Sequence, residues 1–154
     1  MNPKVIDIAI GLVWKEARLL IARRPAGVHL GGLWEFPGGK MEPGETPEGC
    51  LLRELGEEAG IEAEVTGKRE VIVFTYPERT VRLHPLDCRW VSGEPHAAGC
   101  EEPRWVLAAE LSEYEFPAAN APLLAELVRG AGASGSAVTS ARRTDDARDR
   151  TGQE

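Results

Sequence analysis

The pattern of hydrophobic and polar positions predicts a β-hairpin at the start of the chain. Residues 5–14, VIDIAIGLVW, are rich in β-branched side chains, and Ile6, Ile8 and Ile10 recur on one face. After a short polar break, a second β-rich run, RLLIAR, occupies 18–23. Two such runs around a short turn are typical of paired antiparallel strands.

A helix is predicted after the glycine-rich segment 25–40, which is longer than most connections and is therefore a candidate functional loop. Thr46 suits the N-cap and Pro47 the first helical position. The helix should run to about Ala59, with Gly60 at its end. Three leucines at core-facing spacing predict its apolar stripe: Leu51, Leu52 and Leu55.

A second hairpin is predicted from REVIVFTY at 69–76 and TVRLHPLDCRWV at 80–91. The apolar residues of the later run change phase at His84 and Pro85, which predicts a bulge or break there.

The last predicted elements are a short strand that runs into a helical turn at 105–111 and an amphipathic helix at 121–130, closed by Gly130. Residues 131–154 have too few large apolar side chains to offset the entropy of ordering, so they are predicted to form a disordered tail. The order of elements over 1–130 predicts one α/β or α+β layered domain, with a mixed sheet between helices.

Composition narrows the class of protein. The chain has 154 residues, of which 42% are hydrophobic and 28% are charged, as expected for a single globular domain. The net charge of −7 argues against a surface for polymeric nucleic acid, but a bridging metal could bring a single nucleotide to an acidic site. No run approaches the roughly 18 apolar residues of a membrane span, and no signal peptide is evident.

The cysteines and histidines predict neither a disulfide framework nor a zinc site. The three cysteines show no C-x-x-C spacing, and the three histidines are scattered. A reducing cytoplasm is therefore the expected location.

Three carboxylates crowd the predicted helix. Glu54, Glu57 and Glu58 stand at i, i+3 and i+4 and so share one helix face, where like charges repel. A solvated acidic face is one interpretation. The neighbours Arg53 and Leu55 separate cleanly from the carboxylates, however, so the acidic face is not a diffuse run of charge.

The preceding loop favours a second interpretation. It contains glycines that let the backbone approach a ligand closely, and further acid at Glu42 and Glu45. Clustered carboxylates are stabilised by a hard divalent cation, and Mg²⁺ is usually shared with substrate phosphates. The residues themselves therefore predict a magnesium–phosphate site on a helix face.

The segment GKMEPGETPEGCLLRELGEEAGI at 39–61 resembles the Nudix box, with all nine fixed positions filled. These positions are Gly39, Glu45, Arg53, Glu54, Leu55, Glu57, Glu58, Gly60 and Ile61. The resemblance implies an α/β/α sandwich enzyme that hydrolyses nucleoside diphosphates linked to another group, using Mg²⁺ with Mn²⁺ as a possible substitute.

The same resemblance implies roles for the conserved positions of that motif. The expected metal ligands are the Gly39 carbonyl and the carboxylates of Glu54, Glu57 and Glu58. Arg53 and Glu45 are expected to orient these carboxylates and so to belong to the catalytic group. The general base is expected to be Glu54 or Glu57.

The flanking stretches LLIARRPAGVHLGGLWEFPGGK at 19–40 and FPAANAPLLAEL at 116–127 resemble the MutT branch. That branch converts 8-oxo-dGTP to the monophosphate and pyrophosphate, which sanitises the nucleotide pool used in DNA replication. By position, the resemblance implies a substrate-binding set: Arg23 or Arg24 at the nucleotide, Phe36 at the base, Lys40 beside the box and Asn120 at the purine edge.

Each of these substrate-binding assignments has an alternative. Asn120 precedes Ala121 and Pro122 and is also a natural helix N-cap. Phe36 could be ordinary core, and Arg23 with Arg24 could be a solvated pair at a strand end.

Two departures from the branch leave the substrate open. Ala119 stands where the branch often has Asp, which puts selectivity for oxidised guanine in doubt. A late glutamate of the branch falls on Gly99, and Glu101 or Glu102 could replace it. The alternatives are a Nudix pyrophosphatase of CTP or dCTP derivatives or of dNTPs in general, and a non-catalytic base-binding Nudix module. The expected partner is a small nucleotide, with no polymeric nucleic acid and no membrane, and the chain is expected to be a monomer or homodimer.

Overall fold

The computed structural model describes residues 4–96 and 101–137. Within these ranges, eight strands form one sheet: β1 Lys4–Lys15, β2 Arg18–Arg23, β3 Trp34–Glu35, β4 Gly38–Lys40, β5 Glu62–Lys68, β6 Ile72–Tyr76, β7 Arg79–Ser92 and β8 Glu101–Leu107. Two α-helices accompany the sheet: α1 Pro47–Glu54 and α2 Ala121–Ala137.

The sheet is mixed, as predicted. Its main path runs β3-β2-β1-β7-β5, while β4 adds to β1, β6 to β7 and β8 to β2. The pair β1–β7 is parallel and the other described pairs are antiparallel, including the predicted hairpin β1–β2. The middle of β1, residues 9–13, is buried on both faces, because strands and helices cover it on every side.

Two hydrophobic cores lie on opposite faces of this sheet. One face packs Leu12 against Leu123 and Leu127 of α2. The other face packs Val13 against Leu51 of α1. Alternate residues of β1 therefore enter different cores, as the two-residue period of a strand requires, and the predicted sheet between helices is confirmed.

Strand β7 corrects the prediction of a bulge at His84 and Pro85. Its residues pair with β1 one-to-one, from Lys4 opposite Arg79 to Trp14 opposite Arg89, without a register shift. The buried apolar residues of β7 change from one face to the other because its two halves face different cores. The first half buries its side chains in the core beside α2, and the second half buries them in the core beside α1. At the same point the antiparallel partner changes from β6 to β5.

The helix of the box begins as predicted but is shorter and less regular. Thr46 caps α1 by accepting a hydrogen bond from the Gly49 amide at 3.0 Å. After Glu54 the chain makes a π-helical turn, Leu55–Ala59, and Gly60 ends it in the left-handed region at φ 73°. The prediction that Leu52 faces the core is wrong: it is 44% exposed.

The remaining differences concern element lengths. Strand β5 and the short strands β3 and β4 were not predicted. The predicted helix end at Gly130 is wrong, since α2 continues to Ala137. A glycine inside a helix costs only about 1 kcal/mol, and the alanines that follow favour helix. The predicted tail therefore begins inside α2, and its part from 138 to 154 lies outside the described residues.

No described helix is long and apolar enough to span a bilayer.

Candidate active site

The box places a glycine of β4 directly against a carboxylate of α1. A Cβ at Gly39 would lie 2.5 Å from Glu54 Cδ, so a side chain larger than hydrogen would clash with this carboxylate. Gly39 is held there by its pairing with Ala9 of the central strand β1. The backbone of β4 and the Glu54 carboxylate are therefore close enough to serve one ligand.

Arg53 connects three side chains of the acidic cluster, which consists of Glu45, Glu54, Glu57 and Glu58. Its Nε donates to Glu45 Oε2 at 2.7 Å and its Nη2 to Glu45 Oε1 at 2.9 Å, a two-point ion pair. Its Nη1 donates to Glu54 Oε2 at 3.2 Å and lies 3.6 Å from Glu57 Oε1. One guanidinium thus contacts three carboxylates of the box.

The electrostatic environment separates the carboxylates. The hydrogen bonds from Arg53, together with one from the Glu42 amide, lower the pKa of Glu45 to about 2. Burial raises the pKa of Glu54, and the charges of Glu58 and Glu57 raise it further, although Arg53 acts in the opposite direction. Glu45 is therefore a fixed anion, whereas burial and, to a smaller extent, the neighbouring carboxylates make the ionised form of Glu54 less favourable.

This donor set fits a hard divalent cation. Glu57 and Glu58 extend into solvent from the π-helical turn, while Glu54 is held beside Gly39. Among residues 4–96 and the described part that follows, no three acidic, histidine or cysteine side chains converge closely enough to form a ready-made metal cage. The oxygen donors and the close glycine backbone are nevertheless of the type that Mg²⁺ uses when it retains waters.

A cleft of about 370 Å³ opens beside the acidic cluster, within the roughly 300–1,000 Å³ typical of small-molecule sites. Gly39, Glu54 and Glu58 line one end of it. Phe36 and Asn120 belong to the same lining. The structure therefore brings these predicted metal and base residues onto one cavity, whereas the fourth predicted metal ligand, Glu57, is outside its lining.

Asn120 is buried at 8% exposure, and its side-chain amide donates to the Pro117 carbonyl at 3.4 Å. It ends a helical turn, Ala118–Asn120, and directly precedes the first residue of α2. Phe36 is 4% exposed and packs on Phe116 with ring centroids 5.0 Å apart. It therefore belongs to the core and also lines the cleft.

The two neighbouring arginines point to different places. Arg24 lines the cleft, pairs with Glu35 at 3.0 Å and donates to the His29 carbonyl at 2.9 Å. Arg23 stacks over Trp34 and reaches toward Glu102 at 3.6 Å, outside that lining. Of the two predicted candidates, Arg24 is the one placed at the cavity.

Lys40 and Glu102 complete the predicted set. Lys40 is exposed at the rim of the cleft. Glu102, one candidate for the late carboxylate, pairs with Arg23 and lies 4.0 Å from Arg104, away from the cleft. The side chain of the other candidate, Glu101, lies outside the described residues.

Several other lining residues were not predicted, among them His29, Tyr76, Arg79 and His96. Tyr76 accepts a hydrogen bond from the Ala119 amide at 3.2 Å and so joins β6 to the turn that carries Asn120. None of these residues belongs to the box at 39–61.

Fold and site together define an α/β/α sandwich protein with an acidic helix that faces a nucleotide-sized cleft. The family described as NUDIX domain matches residues 9–126. The chain therefore belongs to the Nudix family, as the box residues predicted.

Relatives cover nearly the whole domain. The chain is 38% identical over 128 residues to the 8-oxo-dGTP diphosphatase of Escherichia coli (strain K12). The match covers 82% of this chain and 98% of that protein. It is 35% identical over 126 residues to the CTP pyrophosphohydrolase of the same organism, covering 79% and 90%. The solution structure of the E. coli ORF135 protein matches with a TM-score of 0.69 at 31% identity, covering 91% of this chain and 96% of that one.

Proposed function

We propose that the protein is a Mg²⁺-dependent Nudix pyrophosphohydrolase, with Mn²⁺ as a substitute ion, that acts in the cytoplasm. Its substrates are 8-oxo-dGTP and related purine deoxynucleoside triphosphates, and its products are the nucleoside monophosphate and pyrophosphate. One observation carries the proposal: a single cleft joins the Gly39–Glu54 contact to Phe36 and Asn120.

The relatives support this substrate class. The E. coli 8-oxo-dGTP diphosphatase matches almost end to end, so the activity in its name is transferred here over a complete domain rather than over a shared fragment. The framing ion pairs of Arg53 are intact, which favours an enzyme over a non-catalytic Nudix module.

Each part of the chain has a distinct task in the reaction. Glu54, Glu57, Glu58 and the Gly39 carbonyl would hold the metal, which when bound neutralises phosphate charge and activates water. Arg53 and Glu45 keep Glu54 in place. Hydrolysis of the α,β-phosphoanhydride consumes one water, whose proton is accepted by Glu54 or Glu57.

At the other end of the cleft, the chain selects the base. Phe36 supplies an apolar wall, and the Asn120 amide can both donate and accept at a purine edge. Arg24 lines the same cleft and would meet the nucleotide there.

A panel assay tests the proposal. The protein is incubated with Mg²⁺ and 8-oxo-dGTP, dGTP, dATP, dCTP or CTP, and monophosphate and pyrophosphate are quantified. We expect kcat/KM to be highest for 8-oxo-dGTP. Equal kcat/KM for dGTP and 8-oxo-dGTP would reject the sanitising role. The absence of turnover of every nucleotide in the panel would reject the proposal that the protein is an enzyme.

Ala119 supports a second candidate, a pyrophosphohydrolase of cytidine nucleotides. It lines the cleft beside Asn120 with a methyl group and offers no polar atom beyond its backbone to the base. The similarity to the E. coli CTP pyrophosphohydrolase is almost as extensive as that to the purine enzyme. A preference for CTP or dCTP in the same panel would favour this candidate.

A further inference from the structure

The thiol of Cys50 lies directly behind the peptide that carries the Gly39 carbonyl. Cys50 belongs to α1 and is fully buried, at 0% exposure, in the core between α1 and the sheet. Its Sγ lies 3.5 Å from the carbonyl oxygen of Gly39 and 3.5 Å from that of Lys40. The single S–H proton is therefore shared between two successive carbonyls of β4.

The sulfur of Cys50 is also in contact with Arg53, which connects the carboxylates of the acidic cluster. Arg53 Nη2 lies 3.9 Å from Cys50 Sγ while it donates to Glu45. A continuous series of contacts thus joins Glu45, Arg53, Cys50 and the Gly39 carbonyl.

Gly39 has no side chain, so its orientation depends on the contacts that its backbone makes, among them the pairing with Ala9. Glycine is the residue with the greatest backbone freedom. On one side its Cα faces the Glu54 carboxylate at a distance that excludes a Cβ. On the other side, the Cys50 thiol reaches its carbonyl oxygen as a side-chain donor, in addition to the pairing of Gly39 with Ala9 in the sheet.

We propose that Cys50 is a positioning residue of the metal site, because its S–H fixes the direction of the Gly39 carbonyl and restrains β4 against α1. The inference rests on the proposed function, in which that carbonyl is a metal ligand. An S–H···O contact is weak, so Cys50 tunes metal affinity without creating it.

Cys88 provides a matched control. It is 1% exposed and belongs to the same core. Its Sγ lies 3.8 Å from the Leu86 carbonyl of its own strand, away from the box. Cys88→Ala therefore removes an equally buried thiol without touching β4.

The first test measures Mn²⁺ binding to the full chain without nucleotide, by water-proton relaxation. Loss of a partner behind a metal ligand typically costs about 10- to 100-fold, and the weaker thiol contact should cost about 3- to 10-fold in Cys50→Ala. Cys50→Ser should recover most of the affinity because its hydroxyl can donate to the same carbonyls. Cys88→Ala should bind Mn²⁺ as the wild type does.

The second test uses the S–H stretching band in infrared difference spectra. The wild-type spectrum minus that of Cys50→Ser isolates the Cys50 band, and subtraction of Cys88→Ala isolates the Cys88 band. We expect the addition of Mn²⁺ to shift the Cys50 band, because the metal and the thiol share the Gly39 carbonyl, and to leave the Cys88 band in place.

The outcomes separate the two proposals. A metal-induced shift of the Cys50 band without nucleotide hydrolysis would uphold the positioning role and reject the proposed activity. Hydrolysis with unchanged Mn²⁺ affinity in Cys50→Ala and a stationary Cys50 band would reject the positioning role alone and leave Cys50 as packing. No Mn²⁺ binding by the wild type would reject both.

Discussion

The two ends of the cleft are built in different ways. The metal end comes from one continuous segment, 39–61, in which Arg53 binds Glu45 at two points and also contacts Glu54. The end proposed to bind the base, called the base end, collects Phe36 and Asn120 from distant parts of the chain, and the Asn120 amide donates to the Pro117 carbonyl. We infer that charge changes are tolerated poorly at the metal end, while single residues can adjust selectivity at the base end.

Glu57→Gln should produce the largest effect and would sharpen this contrast. Glu57 is exposed, so the substitution should leave the fold intact while it removes a proposed metal ligand. We expect kcat/KM to fall by more than the roughly 10- to 100-fold typical of losing an outer partner of a metal site. The measurement is Mg²⁺-dependent pyrophosphate release, with thermal melting as the check on folding.

Glu48→Gln is the matched control for that charge change. Glu48 is on the same helix, where it pairs with Lys68 at 3.4 Å instead of facing the box. It should retain near wild-type activity. Similar losses in both variants would mean that general acidity, and not a ligand at position 57, supports the reaction.

Arg53→Lys should have the next largest effect, about 10- to 100-fold in kcat/KM. A lysine keeps the charge but cannot reproduce the two parallel hydrogen bonds to Glu45, so Glu54 would lose its fixed position. Arg89→Lys is the control, because Arg89 pairs with Glu64 on an exposed surface. Full activity of Arg53→Lys would show that charge alone, without the fork geometry, is sufficient.

Asn120→Ala tests the base end. A bidentate amide–base contact contributes about 1–3 kcal/mol, so KM for the guanine substrate should rise about tenfold or more. KM for dCTP should change less, and kcat should be largely retained. An equal rise for both nucleotides would assign the amide to its hydrogen bond with the Pro117 carbonyl, and the difference between the two ends would then disappear.

The smallest effect concerns stability against acid. The pKa of Glu45 falls from 4.5 to about 2 on folding because Arg53 and the Glu42 amide hydrogen-bond to its carboxylate. The ionised carboxylate therefore stabilises the fold above about pH 4.5, and this contribution is lost as the pH falls toward 2.

Urea unfolding of the wild type and Glu45→Gln between pH 6 and about pH 2 measures this contribution. The advantage of the wild type in free energy of unfolding should shrink as the pH falls. A constant difference across that range would show that the ion pair is not coupled to folding.

The metal end was predictable because its information is local. Helical spacing alone placed the three glutamates on one face, and the fixed distances to Gly39 and Glu45 identified the box. The cap at Thr46 and the stop at Gly60 followed from backbone chemistry.

The base end could not be derived in the same way. Tyr76 and Arg79 reach the cleft only because β6 and β7 fold beside β1, and a strand pattern does not state its neighbours. The phase change in β7 illustrates the limit: alternation shows which side chains are buried, but the same pattern arises from a bulge or from a straight strand between two cores.

The parallel pairing of β1 with β7 has a consequence for the order of folding. Lys4 pairs with Arg79, so the entire segment 39–61 lies inside the loop that this pairing closes. Pairings between residues so distant in sequence form slowly, because the closure entropy precedes the gain from contacts. During synthesis the acidic helix therefore emerges before the strand that completes its sheet. We expect a chain that ends at Tyr76 to contain every residue of the box and still lack a stable metal site.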